Sequence, residues 1–380
     1  MRVCIVLALL LANIACNETA QSQKKNKLSS AVLYDKERSE INYPIVIDVT
    51  KEYPKKEAIC LQDIPDIEIE YIPLETNNEF LFDDRAFLYY MDDKYIILHN
   101  TTNGDILIFD SMGKAIRKIN NKGGSGKEYS GINGGIVYDK IKNELYVNDS
   151  RKRKIFVYDI EGKFKRALAH QSKNLDYYIN IYNYNENFLL CYNFKVNESY
   201  QNDYSFDIIS KQTGEKEREI DRFLYDDQLS PQERKTIYTS KDVSQTQGVG
   251  FYAGEPVRKS NNFFLLNQTS ADTIYKLTQD FIKTPVIIQT PTVKKSLPTT
   301  FLTYNIETPL FHVLTVFVKR DVVKNDIEIK NLIIDKKTGE IFNQDIYDGN
   351  FTDKKPLHYP FLYAFTDTNI VAFYYRAYDF

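Results

Sequence analysis

The chain repeats one phrase, in which a short apolar strand leads through an Asp-x-x-Gly-Lys turn into a second strand. Complete copies lie at 106–114 and 156–163, and looser copies lie at 208–215 and 332–340. The turn glycines of the first three copies are about 50 residues apart, and a repeat of roughly 40–50 residues with about four strands is typical of a β-propeller blade. The repeat therefore favours a ring of similar antiparallel sheets.

Composition agrees with an all-β fold. The 380 residues include 29 Tyr and 23 Phe but no Trp, and aromatic residues suit the half-buried surface of a sheet. We predict a single six-bladed β-propeller of four-stranded antiparallel blades over residues 40–380, since closing a ring removes open sheet edges. Its strands are expected around 85–119, 134–168, 177–220, 263–277 and 311–346, with 361–365, 370–375 and an N-terminal strand in the sixth blade.

Two intervals interrupt the strand pattern. Residues 221–262 are predicted to be an insertion between the third and fourth blades, with a short helix starting at the capping box of 230–233. Residues 284–307 contain three prolines and are expected to be irregular. Near the N-terminus, 67–74 is predicted to be the outer strand that closes the ring, with Pro73 at a sheet edge or strand end.

The N-terminus has the pattern of a secretion signal. A positive end precedes an apolar run, 3–12, which is too short to span a bilayer. The run leads to Ala15-Cys16, which resembles a bacterial lipobox. We predict a lipoprotein signal peptide over 1–16, lipid attachment at Cys16 and a flexible tether over 17–39. A secreted protein cleaved nearby is the alternative.

Charge and cysteine content narrow the classes of partner. With 49 basic and 52 acidic side chains, the net charge of −3 provides no electrostatic footprint for nucleic acid.

Cys60 and Cys191 are the cysteines of the expected folded part. They could form one disulfide in an oxidising compartment or remain two buried thiols, and both alternatives stay open. No cofactor is expected.

A glycine-rich loop at 122–126 invites comparison with a phosphate-binding P-loop. The match fails because Asn121 stands at the position of the first glycine and Glu128 replaces the required Ser or Thr. The loop also precedes a strand, whereas a P-loop opens a helix. We expect a flexible blade-to-blade connection here.

Patterns for metal binding and catalysis are weak. The four histidines are far apart in the sequence and pair with no cysteine: His99, His170, His312 and His358. Asp139, Asn148 and Asp149 are possible oxygen donors for Ca²⁺ in a central channel, although such residues more commonly serve in turns. There is no Gly-x-Ser-x-Gly motif. Nucleophilic hydrolysis is therefore not supported, and no metal ligand is assigned.

Besides the Asp-x-x-Gly-Lys turns, the chain has four further short motifs in a characteristic order: Tyr53-Pro54-Lys55-Lys56, Leu61-Gln62-Asp63-Ile64, Glu70-Tyr71-Ile72-Pro73-Leu74-Glu75-Thr76 and Asp272-Thr273-Ile274-Tyr275. Together these motifs resemble the six-bladed β-propeller lipoprotein family of Gram-negative bacteria, whose blades are similar to NHL repeats. The resemblance covers most of the chain from about residue 45. It implies a propeller fold and an envelope location, but no settled activity. The chain departs from the family at 123–129, where relatives tend to have Gly-Pro-Gly before Glu-Tyr.

Ligand binding is predicted on one face of the ring. Turns between second and third strands, and connections between blades, emerge opposite the Asp-x-x-Gly-Lys hairpins, and long loops on a rigid scaffold usually carry binding. The predicted contacts are His99, Arg151, Arg153 and Tyr200, with ordinary solvated loop residues as the alternative. The basic cluster at 151–154 is expected to be a solvated turn or, alternatively, an anion or acidic-glycan contact.

Two functional hypotheses follow. The leading one is a non-enzymatic binding or scaffold protein of the cell envelope, anchored by lipid in the outer membrane, that recognises a glycan, a peptide or a partner protein. The competing one is a Ca²⁺-dependent hydrolase or lyase with its site in the central channel. Convergence of at least three carboxylate or amide oxygens on the channel would favour the enzyme.

Overall fold

The computed structural model describes residues 4–11, 43–64, 67–83, 86–171, 176–196, 202–224, 256–260, 263–268, 271–308, 310–321, 326–350, 362–365 and 370–375. These residues form 27 strands and two short 3₁₀ turns, Leu61–Asp63 and Val293–Lys295. The described part of the chain has no helix long and apolar enough to cross a membrane. It is an all-β structure.

The strands form six sheets of four or more strands. The N-terminal strands are β1 (Cys4–Leu11), β2 (Ile45–Asp48), β3 (Ile59–Cys60) and β4 (Ile67–Leu74). The first sheet contains β5 (Ala86–Met91), β6 (Tyr95–Asn100), β7 (Asp105–Asp110) and β8 (Ala115–Ile119). The second contains β9 (Ile136–Asp139), β10 (Glu144–Asp149), β11 (Lys154–Asp159) and β12 (Phe164–Ala169). The third contains β13 (Tyr177–Asn183), β14 (Phe188–Val196), β15 (Asn202–Ser210) and β16 (Lys216–Leu224).

The remaining sheets include strands from both ends of the chain. The fourth contains β17 (Val257–Ser260), β18 (Phe263–Leu266), β19 (Thr273–Thr278) and β20 (Lys283–Thr290), with β2 added. The fifth contains β21 (Thr299–Glu307), β22 (Phe311–Asp321), β23 (Asp326–Asp335) and β24 (Ile341–Asn343). A short ladder joins β25 (Ile346–Tyr347) to β3. The sixth sheet has the order β26 (Leu362–Phe365), β27 (Ile370–Tyr375), β1 and β4.

The repeated turn has a simple physical basis. The carboxylate of Asp110 accepts backbone N–H groups from two and four residues later, at 3.0 and 2.8 Å, and Asp159 does the same at 3.0 and 2.8 Å. The turn glycines Gly113 and Gly162 have φ of +83° and +86°, which only glycine adopts readily. At Gly113 a Cβ atom would lie 2.2 Å from the backbone oxygen of Pro73. The hairpin of the first sheet therefore packs against the sixth sheet.

Apolar side chains between consecutive sheets form six clusters, one at each seam of the described structure. Between the first and second sheets, Ile108 packs in one cluster with Phe156. At the closing seam, Ile72 and Ala372 of the sixth sheet share a cluster with Leu98 of the first. The sheets thus close into a ring, and the predicted all-β propeller of four-stranded antiparallel blades is confirmed.

The segment before the first sheet runs along the outside of the ring. Strand β2 pairs in parallel with β20, the outer strand of the fourth sheet, and β3 pairs in parallel with β25. Strand β4 then lies at the edge of the sixth sheet, as predicted for 67–74, and Pro73 lies on that edge strand. An edge position suits proline because it has no N–H group to donate to a neighbouring strand.

Two predicted irregular intervals contain regular strands. Within 221–262, β16 continues to Leu224 and β17 begins at Val257, so strand pairing extends into both ends of the predicted insertion. Two thirds of the interval 284–307 belongs to β20 and β21, and its irregular part is limited to 291–298. Proline misled the prediction because Pro285 lies where the β19–β20 register shifts, and a shifted ladder tolerates a missing N–H group.

The structure places part of the predicted leader and both cysteines of the folded part. Residues Cys4–Leu11 form a strand inside the sixth sheet. Cys16, the tether 17–39 and the helix expected from 230 lie outside the described residues. Cys60 and Cys191 are free thiols, and Cys191 is buried. The disulfide alternative is therefore not what the structure shows.

Candidate functional site

The candidate site lies on the face of the ring where turns between second and third strands and connections between sheets emerge. We call this the loop face. In the first two sheets it is formed by 101–104, 121–135 and 150–153, together with His170 after β12. The Asp-x-x-Gly-Lys turns lie at the other end of the same strands, which we call the hairpin face.

Lys152 holds the glycine-rich loop against the second sheet. Its ammonium group donates to the backbone oxygens of Gly123, Ser125 and Glu128, at 2.9, 3.3 and 2.7 Å. Hydrogen bonds from a charged donor are stronger than neutral ones, and three of them converge here. The loop backbone is therefore fixed beside the turn 150–153.

Glu128 and Tyr129 complete the anchoring of this loop. An oxygen of Glu128 accepts the N–H of Ser125 at 2.9 Å, and this bond lowers the pKa of the Glu128 carboxyl. The Tyr129 hydroxyl donates to the carbonyl of Gly104 at 2.9 Å and accepts the N–H of Asn121 at 3.0 Å. Burial raises the pKa of Tyr129 to about 12. The segment is a blade-to-blade connection, as predicted. The expectation that it is flexible is wrong, because these contacts hold its backbone in place.

Two predicted contacts, Arg151 and Arg153, lie in the turn that carries Lys152. Arg151 is exposed, whereas Arg153 is half-buried and has φ of +51°. The carbonyl of Arg153 accepts the N–H of His170 at 3.0 Å, so its backbone is tied to the second sheet. The structure thus brings both arginines beside the anchored glycine-rich loop.

The other two predicted contacts have different outcomes. His99 lies within β6 and is only 2% exposed, with its ring 6.2 Å from that of Tyr89. Its expected position in an exposed loop is wrong, because β6 continues for one residue beyond it. A direct role for His99 in binding stays a prediction. Tyr200 lies outside the described residues.

A set of buried asparagines, which was not predicted from the sequence, supports the loop face. One lies near the loop-face end of the second strand in each of four consecutive sheets: Asn100, Asn148, Asn193 and Asn267. The side-chain amide of Asn100 donates to the carbonyl of Leu81 in the connection leading to the first sheet, at 3.0 Å. Their common position after an apolar strand was the sequence signal that could have found them.

Asn148 shows how such a residue is used. Its amide donates to the carbonyls of Gly134 and Tyr178, at 3.2 and 2.9 Å, which joins the second sheet to the third. His170 accepts the N–H of Tyr178 at Nδ1, so Nε2 carries the proton and donates to the Asn148 oxygen at 2.8 Å. Burial lowers the pKa of His170 to about 3. The imidazole is therefore neutral and structural.

The proposed Ca²⁺ donors do not converge. Asp139 lies at the hairpin-face end of β9 and accepts from Lys211, whereas Asn148 and Asp149 lie at the loop-face end of β10. Asp149 is buried and accepts from the backbone and hydroxyl of Ser130, at 2.6 and 2.7 Å. Among the described residues, no group of three or more His, Cys, Asp or Glu side chains is placed to hold a metal ion.

These features define an all-β propeller with an anchored, basic turn on its loop face. The chain belongs to the family described as a domain of unknown function, DUF4934, whose model matches residues 44–380. No curated protein is a significant match to the chain.

Solved structures give only distant likenesses. A Bacteroides fragilis protein assigned as exported has 14% identity and a TM-score of 0.47, and the match covers 73% of this chain and 75% of the other. A DUF4221 member from Bacteroides vulgatus has 10% identity and a TM-score of 0.42, with 80% and 95% covered. An inactive variant of virginiamycin B lyase from Staphylococcus aureus, with quinupristin, has 13% identity and a TM-score of 0.35, with 72% and 86% covered.

Proposed function

We propose that this chain is a non-enzymatic binding protein of the cell envelope, and that it recognises an acidic glycan through its loop face. The observation that carries the proposal is the contact of Lys152 with three loop carbonyls. It fixes a backbone surface beside Arg151, and both Arg151 and Lys127 are exposed. A surface ordered before binding loses less conformational entropy when a ligand arrives.

The charge of this surface sets the class of ligand. The whole chain has a formal net charge of −3, yet residues 151–154 are four consecutive basic residues. Because Lys152 is engaged with the loop, Arg151 is the leading contact and Arg153 the second. Guanidinium groups bind carboxylates through two parallel hydrogen bonds. A glycan with carboxylated sugars is therefore a fitting ligand, and His99 and Tyr200 stay predicted contacts.

Export and anchoring form the second part of the proposal. The apolar run 3–12 and Ala15-Cys16 support a lipoprotein signal that leaves a lipid on Cys16, with the outer membrane as the expected destination. Replacing Cys16→Ala should move the protein from the membrane fraction to the soluble fraction, whereas Cys60→Ala should not. Equal membrane association of the Cys16→Ala and unsubstituted proteins would contradict the anchor.

The binding proposal is tested with polygalacturonate as the acidic probe and dextran as the neutral control. Arg151→Ala with Arg153→Ala should weaken polygalacturonate binding about 5–30-fold, in line with roughly 0.5–1 kcal/mol for each of the two charge pairs. Lys114→Ala with Lys163→Ala removes the same charge from the hairpin face and should leave binding unchanged. The reverse pattern would overturn the assignment, and tighter binding to polyglutamate would move the ligand class to acidic peptides.

A further inference from the structure

The sixth sheet contains an unusual strand. Strand β1 lies between β4 and β27 and is antiparallel to both. Its register with β4 runs from Cys4 opposite Leu74 to Leu11 opposite Ile67. Its register with β27 runs from Ile5 opposite Tyr375 to Leu10 opposite Ile370. The apolar run predicted to be an export signal is thus an interior strand of the sheet that closes the ring.

Removal of β1 would leave a gap one strand wide. Neighbouring strands are about 4.8 Å apart, so β4 and β27 lie on the order of 10 Å from each other and cannot pair across the gap. Since both are antiparallel to β1, they run parallel to one another. Each would then present a row of backbone N–H and C=O groups without a strand neighbour, which is a template for pairing with another chain.

The surroundings of the gap restrict what fits into it. On one face of β4, Ile72 and Leu74 are buried in the cluster shared with the first sheet. On the other face, Ile69 and Tyr71 pack against the cluster shared with the fifth sheet. Positions of β1 alternate between these two faces because side chains alternate along a strand. A strand in this position must therefore be apolar on both faces, and residues 4–11 contain no charged residue.

We propose that the position between β4 and β27 is a strand-acceptor site, which Cys4–Leu11 fills before export and an apolar strand of a partner protein fills after the signal has been removed. The proposal rests on the export and cleavage proposed above. The ligand is an extended peptide of about eight residues, apolar on both faces and antiparallel to both neighbours. Backbone pairing supplies affinity in such sites, and the alternating side chains supply specificity.

The test uses a fluorescent peptide that copies residues 3–12 between solubilising lysines. It is added to the processed protein isolated from the envelope, to the full-length unprocessed chain, and to a full-length chain with Leu7→Pro and Leu9→Pro. Proline removes N–H donors and should displace β1. We expect saturable binding to the processed and proline-substituted proteins, and none to the unprocessed chain, whose site is filled. Binding should raise the melting temperature by about 3–4 °C at a hundredfold excess over Kd.

The outcomes separate the acceptor site from the export proposal. A peptide carrying the same two prolines is the matched control and should not bind. Failure of the copied peptide to bind the proline-substituted chain would overturn the acceptor site itself. If the peptide binds that chain but not the processed protein, the site is not open after export, and that part of the proposal is overturned. Mass spectrometry of the envelope protein checks cleavage separately, because a retained Met1 would overturn the export proposal.

Discussion

The ammonium nitrogen of Lys211 lies 2.6 Å from a carboxylate oxygen of Asp139, and the two side chains are 0% and 3% exposed. A second bond, to the side-chain oxygen of Asn183, also measures 2.6 Å. Lys211 belongs to the turn after β15 and Asp139 to the end of β9, so the ion pair joins the third sheet to the second on the hairpin face. Burial lowers the pKa of Lys211, and its bond to Asp139 opposes that effect.

Replacing Lys211→Met should lower the free energy of unfolding by about 3–5 kcal/mol, because the carboxylate of Asp139 would remain buried without its cation. Urea unfolding measures the loss. Adding Asp139→Asn should recover part of it, since the uncompensated charge is removed. Arg320→Met is the surface control, because Arg320 pairs with Glu328 at an exposed site, and it should cost less than about 1 kcal/mol. A loss as small as the control's for Lys211→Met would contradict this account.

Stability should fall on acidification in two steps. The pKa of His170 is about 3 in the folded chain against an ordinary 6.5, so the unfolded chain gains a proton first as the pH falls below about 6.5. Burial raises the pKa of Glu144, but bonds from Arg166, Lys165 and Tyr146 outweigh it and hold the pKa at about 2 against 4.5. Each group contributes its full stabilisation above its ordinary pKa. That contribution is lost as the pH falls towards the pKa that the group has in the folded chain.

Urea midpoints measured between pH 7 and 3 check both steps. His170→Gln should flatten the decline that begins below about pH 6.5. Glu144→Gln should leave that upper range unchanged and should flatten only the part below about pH 4.5. Identical pH profiles for His170→Gln and the unsubstituted protein would show that the buried imidazole does not contribute.

Lys152→Met should release the glycine-rich loop without unfolding the ring. Amide hydrogen exchange at 121–130 should become at least about tenfold faster, which corresponds to roughly 1.4 kcal/mol of lost local stability. The exposed Lys154 in the same basic cluster provides the control, and Lys154→Met should leave exchange unchanged. Equal exchange in the two variants would mean that the three carbonyl contacts do not order the loop.

Gly134→Ala should destabilise the chain, whereas Gly124→Ala should not. A Cβ atom at Gly134 would lie 1.9 Å from the Asn148 amide nitrogen and 2.8 Å from the carbonyl of Ile179, so the contacts between the second and third sheets must shift. We expect a loss of about 1–3 kcal/mol by urea unfolding. At Gly124 a Cβ atom meets nothing within 4 Å, and the change should stay within about 0.5 kcal/mol.

Chelation tests the Ca²⁺-enzyme hypothesis. The three suggested donors Asp139, Asn148 and Asp149 lie at two ends of the second sheet and bond to protein groups. Addition of EDTA should therefore shift the melting temperature by no more than about 2 °C, on the order of 1 kcal/mol or less. A much larger decrease, reversed by Ca²⁺, would favour a metal centre in the channel.

The sequence was informative about the repeated sheets. The Asp-x-x-Gly-Lys turn is local, because Asp110 and Gly113 need only their own hairpin to fold, and its recurrence predicted the propeller. The turn with Arg151 and Arg153 was likewise predicted as part of the loop face. His99 was misplaced because a strand end and a loop start share similar residues, and strand boundaries depend on pairing with a neighbour.

The sequence by itself determined the class of fold, since turn chemistry and alternating apolar strands are encoded among near neighbours. Only the tertiary structure decided which distant residues meet. Lys152 and Lys211 occur in similar polar turns, yet one binds backbone oxygens of a neighbouring loop and the other a buried carboxylate 72 residues away. Residues 4–11 carry the pattern of an export signal, yet they lie in the closing sheet. Such outcomes depend on how the ring closes, because closure selects partners that local sequence does not specify.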